Sequence, residues 1–136
     1  MPFNHKLHSV LALLVALMAT PCFGQVVINE FMATNSSAVN DPDFDESADW
    51  VELYNTSAAP VLLNGYYLTD NLSDTLKWAL PSGTTIPGFG FLLIWADGMA
   101  TGLHTNFRLS SLGEEIGLYD NSLTLSDGFV YTAQQT

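Results

Sequence analysis

The chain has 136 residues, of which 48% are hydrophobic and only 12% are charged. This length and composition fit one folded domain with a sizeable core and exclude an intrinsically disordered chain. Acidic residues outnumber Lys and Arg by 14 to 3, which gives a formal net charge of −11. Such a chain repels polyanions, so the sequence argues against a nucleic-acid partner and favours a cation or a basic surface as ligand.

The first 24 residues have the features of a removable signal peptide. Lys6 supplies a positive charge, residues 10–19 form an uncharged apolar run, and Pro21 ends that run before small residues. We expect cleavage after Gly24, which leaves a mature domain at residues 25–136 without cysteine. No later apolar segment approaches the ~20 residues that span a bilayer, so we expect no transmembrane segment after cleavage and a secreted or cell-surface location.

After this leader, short apolar runs alternate with Gly, Pro, Asn, Asp and Ser, which predicts β-strands joined by turns and no helix. The predicted strands are residues 26–32, 50–54, 61–68, 76–80, 89–95, 107–109, 115–119 and 128–131. About 7–8 short strands indicate an all-β sandwich or barrel. In the strand that begins at Trp50, the alternation of side chains directs Val51 and Leu53 into the core.

Residues 89–95 are apolar on both alternating faces of the predicted strand. A strand of this kind is covered on both sides within its domain, or it borders a partner that covers the second face. Exposure of that second face in the folded protein would indicate an interaction surface.

Residues 33–49 carry no secondary-structure signal and are longer than an ordinary connection, which predicts a functional or a mobile loop. Counted from Asp41 as position 1, acidic residues fall at the EF-hand ligand positions 1, 3, 5, 9 and 12. The candidate calcium ligands are therefore Asp41, Asp43, Asp45, Asp49 and Glu52. A solvated acidic loop is the alternative, because position 6 is Glu46 rather than glycine and a strand follows the loop.

Three further polar residues have apolar neighbours in the sequence. Glu30 and Glu52 lie in predicted strands, where a buried carboxylate needs donors such as loop amides or Asn55. His104 is the one histidine after residue 24, and we expect it to hydrogen-bond within the loop before Phe107, because imidazole metal sites ordinarily use more than one histidine. No nearby acid or base completes a hydrolytic arrangement at recognisable spacing, so the sequence predicts no enzymatic activity.

Six segments in this order resemble the lamin tail domain family in its secreted bacterial form. They are VINEFM at 27–32, DWVELYN at 49–55, LNGYYLTD at 63–70, IPGFGFLLIWA at 86–96, LHTNFRLS at 103–110 and GEEIGLYD at 113–120. The resemblance implies an immunoglobulin-like β-sandwich and a non-enzymatic module that accompanies other domains and is generally inferred to act in adhesion or tethering. Family members typically continue past the last strand with a Ser-Gly-Arg-like segment. This chain stops at Thr136, so we expect a terminal strand or a companion domain to be missing.

The sequence thus predicts an exported, non-catalytic binding or structural module for surface attachment or scaffolding. Its ligand is a protein or a cell-envelope component whose identity and stoichiometry the fold does not supply. One alternative is an accessory domain of a larger secreted hydrolase, such as a nuclease or a phosphoesterase. Another is a carbohydrate-binding module that stacks sugars on aromatic rings; we expect most of these rings to lie in the core or half-buried in a sheet, with Trp50 and Trp78 as the leading candidates for an exposed pair.

Overall fold

A computed structural model describes residues 25–134, and the predicted signal peptide at 1–24 lies outside the described residues. Every regular element within 25–134 is a β-strand. The strands are β1 (Val26–Met32), β2 (Trp50–Asn55), β3 (Val61–Leu62), β4 (Tyr67–Thr69), β5 (Trp78–Ala79), β6 (Thr85–Ile86), β7 (Phe91–Trp95), β8 (Gly113–Tyr119) and β9 (Leu125–Thr132). A search of these residues for a helix long and apolar enough to cross a membrane found none.

The strands form two main sheets and one short ribbon, and every pairing is antiparallel. One main sheet has the order β1-β2-β7, the other has the order β5-β4-β8-β9, and β3 pairs with β6. The two main sheets also meet along one side, where the Ile28 amide of β1 donates to Asp127 Oδ2 of β9 at 2.9 Å. The predicted all-β architecture is confirmed.

The core lies between the two main sheets, because side-chain alternation turns one face of each strand inward. Val51 and Leu53 of β2 are fully buried and contact a cluster that includes Ile94, Leu68 and Ile116 from both sheets. The inward orientation that the sequence predicted for Val51 and Leu53 is confirmed. Full burial of an aliphatic side chain of this size stabilises a fold by ~1.5–3 kcal/mol.

Two predicted strands differ from the observed ones because the chain turns within them. Residues 61–68 form β3 and the start of β4, separated by a turn at Gly65, whose φ of +77° favours a residue without Cβ. Residues 107–109 contain only an isolated bridge between Arg108 and Asp97, since Thr105 Oγ1 donates to the Phe107 carbonyl at 2.6 Å and redirects the chain. The two-residue strand β6 was not predicted, because an element so short leaves no periodicity to recognise.

Strand β7 lies at the edge of its sheet rather than in the centre. Ile94 faces the core, whereas the opposite face carries Leu93, which is partly buried, and Phe91, which is 55% exposed. At the end of the strand, the backbone of Trp95 pairs with the loop that contains His104. The second face of residues 89–95 is therefore exposed at the Phe91 end and covered at Trp95, and the exposed part has the feature that indicates an interaction surface.

Candidate functional site

One buried asparagine organises the acidic loop, residues 33–49. Asn35 Nδ2 donates to the carbonyls of Val39 at 2.6 Å and Ala48 at 2.8 Å. The Asn35 backbone amide in turn donates to Asp49 Oδ1 at 3.0 Å. Burial raises the pKa of Asp49, and this amide and the charge of Arg108 only partly oppose the shift. The loop therefore has an internal framework of its own, although it contains no regular strand.

The same loop covers part of the outer face of the three-stranded sheet. Ala48 packs against Trp50 and Trp95, and both tryptophans are buried. Trp78 is buried as well, in the main core. The expectation that Trp50 and Trp78 form an exposed pair was wrong, because one is covered by the loop and the other packs between the sheets.

Four polar side chains meet where the acidic loop contacts the two turns that follow β7. His104 Nδ1 lies 2.7 Å from Asp97 Oδ2, and His104 Nε2 lies 3.1 Å from Asp43 Oδ2. Asp41 Oδ2 lies 3.7 Å from His104 Nδ1. We call Asp41, Asp43, Asp97 and His104 the His104 cluster. Three carboxylates thus surround one imidazole.

Backbone hydrogen bonds fix the buried members of the His104 cluster. One Asp41 oxygen accepts from the Asp43 amide at 2.9 Å, which holds the two acidic residues in a tight turn. One Asp97 oxygen accepts from the amide two residues later, also at 2.9 Å. The His104 amide donates to the carbonyl three residues earlier at 3.0 Å. The His104 side chain is only 3% exposed and Asp41 is 0% exposed, whereas the Asp43 side chain is 68% exposed.

One oxygen of the His104 cluster lacks a hydrogen-bond partner. Asp41 Oδ2 is buried, and its 3.7 Å separation from His104 Nδ1 exceeds hydrogen-bonding distance. An unsatisfied buried acceptor is costly, and native proteins ordinarily satisfy such atoms with a protein group, a water molecule or an ion. The described protein groups therefore leave this oxygen without a hydrogen-bonding partner at close range.

The electrostatics of the His104 cluster favour a bound cation. Burial lowers the pKa of His104, but the hydrogen bonds to Asp97 and Asp43 and the charges of Asp97 and Asp41 outweigh burial, so the pKa is raised. A neutral imidazole has one N–H, so it can donate to only one of the two carboxylates that its nitrogens face. The contact between the other ring nitrogen and its carboxylate oxygen is favourable only when a proton or another cation lies between that nitrogen and that oxygen.

The structure brings together two of the five predicted calcium ligands. Asp41 and Asp43 join His104 in a group in which one donor atom from each residue lies within 4.8 Å of the others. Asp45 Oδ1 instead accepts from Asn40 Nδ2 at 2.8 Å, and Asp49 bonds to the Asn35 amide as described above. Calcium binding by the five-residue set stays a prediction.

Glu52, the fifth predicted ligand, lies on the outer face of β2. Its Oε1 accepts from Asn29 Nδ2 at 2.8 Å, and Glu30 lies opposite it on β1 with an exposed side chain. The expected donor, Asn55, faces inward instead, and its side-chain amide donates hydrogen bonds to loop carbonyls. Both carboxylates therefore avoid burial, because alternation places them on the side of the sheet away from the core.

Sequence reasoning missed the link between His104 and the acidic loop. His104 does hydrogen-bond within the loop before Phe107, as expected, because Asp97 lies in the same connection between β7 and β8. Its second partner, Asp43, lies in the acidic loop and was not expected. Asp97 and Gly98 belong to the Gly, Pro, Asn, Asp and Ser positions from which the sequence predicted only turns. The available signal was an Asp directly after the apolar run that ends at Ala96, since a polar side chain there is placed at the end of a strand.

The uncovered part of the outer face carries stacked aromatic rings. Tyr54 and Phe91 are opposite each other on β2 and β7, with ring centroids 4.7 Å apart and ring planes at 29°. Glu52 lies next to them, opposite Leu93. We call Tyr54, Phe91, Glu52 and Leu93 the outer patch. It combines an aromatic surface with a carboxylate.

A family model described as Lamin Tail Domain matches residues 20–133, which is most of the chain. The chain belongs to the lamin tail domain family. The lamin tail domain has an immunoglobulin-like fold, with which the antiparallel sandwich described above agrees. It is a non-catalytic domain that often serves as a binding or structural module. A search of curated proteins found no match to this lamin tail domain.

Proposed function

We propose that this lamin tail domain is an exported, non-catalytic module that attaches to the cell surface by binding a basic protein of the envelope. The outer patch carries this proposal. The acidic loop covers Trp50 and Trp95 on the same sheet face but leaves Phe91 of the patch 55% exposed. A sheet face that is covered at one end and aromatic at the other is suited to a partner that completes the cover.

The chemistry of the outer patch fits lysine and arginine side chains. The stacked rings of Tyr54 and Phe91 offer a flat π surface to a cation, and Glu52 supplies a negative charge beside them. Exposed Glu30, opposite Glu52 on β1, adds a second carboxylate. Aromatic anchors with a charged rim are typical of protein interfaces.

The charge of the whole chain supports a basic partner over an anionic one. Removal of the predicted leader removes Lys6 and leaves 14 acidic residues against Lys77 and Arg108. A domain of this charge attracts a basic protein at long range and repels nucleic acid and anionic lipid. Attachment is therefore expected to weaken as salt is added, because salt screens the attraction.

The test is retention of the purified protein on an envelope fraction of the producing cell over a range of salt concentrations. Phe91→Ser removes the exposed ring and is expected to lower retention by about tenfold, the loss of a moderate interface anchor. Val130→Ser is the matched control, since Val130 is an exposed apolar residue on β9 of the other sheet. Equal retention of the two variants, or retention that salt does not change, would contradict the proposal.

Export has its own measurement. Sequencing the amino terminus of the protein recovered outside the cytoplasm is expected to begin at Gln25. Recovery of the chain inside the cell with residues 1–24 still attached would oppose export while leaving the envelope-binding test intact.

The two alternative functions lead to different outcomes in the retention assay. An accessory domain of a secreted hydrolase would use the outer patch against its own catalytic domain, so the separate chain would not be retained. Carbohydrate binding predicts release by soluble envelope polysaccharide rather than by salt. Trp50 and Trp78 do not provide the exposed rings on which this alternative would stack a sugar, because both are buried.

A further inference from the structure

We propose that Asp41, Asp43 and His104 bind one divalent transition-metal ion of the Zn²⁺ class, with Asp97 as the residue that positions the imidazole. This metal site differs from the predicted calcium site in its ligands and in the kind of ion. It shares Asp41 and Asp43 with that prediction but replaces Asp45, Asp49 and Glu52 by a histidine from a distant loop. It is also independent of the outer patch.

The first argument is the convergence of donor atoms. One donor atom from each of the three residues lies within 4.8 Å of the other two, and His104 Nε2 is 3.1 Å from Asp43 Oδ2. Ligands at ~2.0–2.2 Å from one tetrahedral Zn²⁺ ion are separated by about 3.3–3.6 Å. The Nε2 and Oδ2 atoms are therefore close to the spacing of two ligands on a shared ion.

The second argument is independent of convergence and rests on the unpartnered oxygen. Asp41 is 0% exposed, and its Oδ2 faces the imidazole without a hydrogen-bond partner. In a solvated acidic loop such an oxygen would be exposed, and water would supply its hydrogen bonds. Here the oxygen is enclosed within the cluster, so an ion supplies the positive charge that the protein groups leave out.

Asp97 makes one imidazole nitrogen available for a metal. Its Oδ2 lies 2.7 Å from His104 Nδ1 and accepts the Nδ1–H, so the lone pair of the neutral ring is on Nε2. Nε2 is the nitrogen that faces Asp43. A carboxylate that holds the remote ring nitrogen is the usual outer partner of a metal-bound histidine, because it sets the tautomer and the ring orientation.

An ion can reach this place from solvent. A cleft lined by Asp43, Phe44, Thr101, Gly102 and His104 opens beside the cluster, and the Asp43 side chain is 68% exposed. The Phe44 ring lies edge-on to the imidazole at a centroid distance of 5.0 Å and shields it on one side. Three protein ligands and an open side leave the fourth position for a water molecule or for a ligand from a partner.

The donor set selects the kind of ion. Calcium and magnesium prefer sites made of oxygen ligands alone, whereas imidazole suits zinc and its neighbours in the first transition row. Two carboxylates together with an oriented imidazole are ligands of the type that zinc accepts in a tetrahedral site. We therefore expect Zn²⁺ to bind more tightly than Ca²⁺.

The test is calorimetric titration of the purified, chelator-treated protein. One sample is titrated with zinc chloride and a separate sample with calcium chloride. We expect one Zn²⁺ per chain. Asp43→Asn is expected to weaken binding by at least about tenfold, and Asp97→Asn by about 10–100-fold, as for loss of an outer-shell partner. Asp43 is an exposed side chain, so its substitution does not threaten the fold.

Asp45→Asn is the matched control. It removes the same charge two residues after Asp43, from a side chain that does not belong to the donor group. It is expected to leave the Zn²⁺ affinity unchanged within about twofold, as is usual for an exposed charge that is not a ligand. Nitrogen NMR of His104 adds a direct readout, since Zn²⁺ should shift the Nε2 resonance while Nδ1 keeps its proton.

Two results would overturn the site. One is equal Zn²⁺ affinity of the wild type and Asp43→Asn with an unmoved Nε2 resonance. The other is tighter binding of Ca²⁺ than of Zn²⁺ that is lost in both Asp45→Asn and Asp49→Asn, which would assign the ion to the EF-hand-like set instead.

Discussion

Asn55 and Asp41 are both 0% exposed, yet the protein satisfies them to different extents. Asn55 Nδ2 donates to the carbonyls of Ala59 at 2.7 Å and Pro87 at 3.0 Å, and its Oδ1 accepts from the Ser57 amide at 3.0 Å. Asp41 uses one carboxylate oxygen for the Asp43 amide and leaves the other without a donor.

The difference separates a polar group that the protein satisfies from one that the proposed ion would satisfy. The asparagine side chain is neutral and finds both its donors and its acceptors within the loops that it joins. Asp41 has an acidic side chain, lies among other carboxylates and lacks a donor, so the ion proposed above would complete its surroundings. Burial alone therefore does not distinguish the two residues, whereas their hydrogen-bond partners do.

The largest expected effect comes from giving Asn55 the chemistry of Asp41. Asn55→Asp replaces the amide donor by an oxygen that faces the Ala59 and Pro87 carbonyls, which then lose their partner. We expect the free energy of unfolding to fall by about 3 kcal/mol or more, the cost of an uncompensated buried charge. Urea denaturation at neutral pH measures it.

The control for this change is the same substitution at an exposed position. Asn64 Oδ1 accepts from the Gly83 amide at 2.7 Å, and a carboxylate oxygen accepts that bond equally well. Asn64→Asp is therefore expected to change stability by less than about 0.5 kcal/mol. A similar loss at both positions would mean that added negative charge, rather than the lost donor, governs the effect.

Tyr131 is a partly buried polar group, satisfied like Asn55 but with a proton that can be removed. Its hydroxyl lies 3.0 Å from both the Ser110 carbonyl and Glu114 Oε1. Burial raises the pKa of Tyr131, and Glu114 raises it further. The folded state thus holds the proton more tightly than the unfolded state does, so this contribution to stability is complete below about pH 10 and is lost as the pH rises through the folded pKa.

Tyr131→Phe tests that linkage. We expect a loss of about 1 kcal/mol at neutral pH, because one hydrogen-bonding hydroxyl is removed. Above about pH 10, the stability of the wild type should fall more steeply than that of the variant. Urea denaturation at pH 7 and at several alkaline pH values measures how the free energy of unfolding of each protein changes with pH. Parallel slopes would show that the hydroxyl is not held as the geometry indicates.

The sequence predicts some parts of this molecule well, for physical reasons that particular residues illustrate. Val51 and Leu53 could be placed in the core because alternation along a strand is a local rule. The burial of Trp50 could not be predicted, since it depends on where a distant loop packs. The family could be recognised because six segments recur in order, a pattern that needs no knowledge of contacts.

The candidate site shows the same division. Asp41 and Asp43 could be singled out by their spacing, because both belong to one short loop. Their association with His104, which follows Asp43 by 61 positions, depends on how two loops meet at the end of β7. The position of Asp97 after an apolar run marks it as a polar residue at a strand end, but nothing in the local sequence shows that its carboxylate lies beside the His104 ring.

The smallest expected effect on stability comes from giving Asp41 the chemistry of Asn55. Asp41→Asn keeps the oxygen that accepts the Asp43 amide and removes the charge of the unpartnered atom. In chelator-treated protein, the added donor and the relief of repulsion offset the weaker pairing with His104, so we expect a change within about 1 kcal/mol. Thermal denaturation with and without Zn²⁺ measures it, and only the wild type should be stabilised by the ion. If the variant loses as much stability as Asn55→Asp does, the carboxylate of Asp41 is already complete without an ion, and the contrast between the two residues fails.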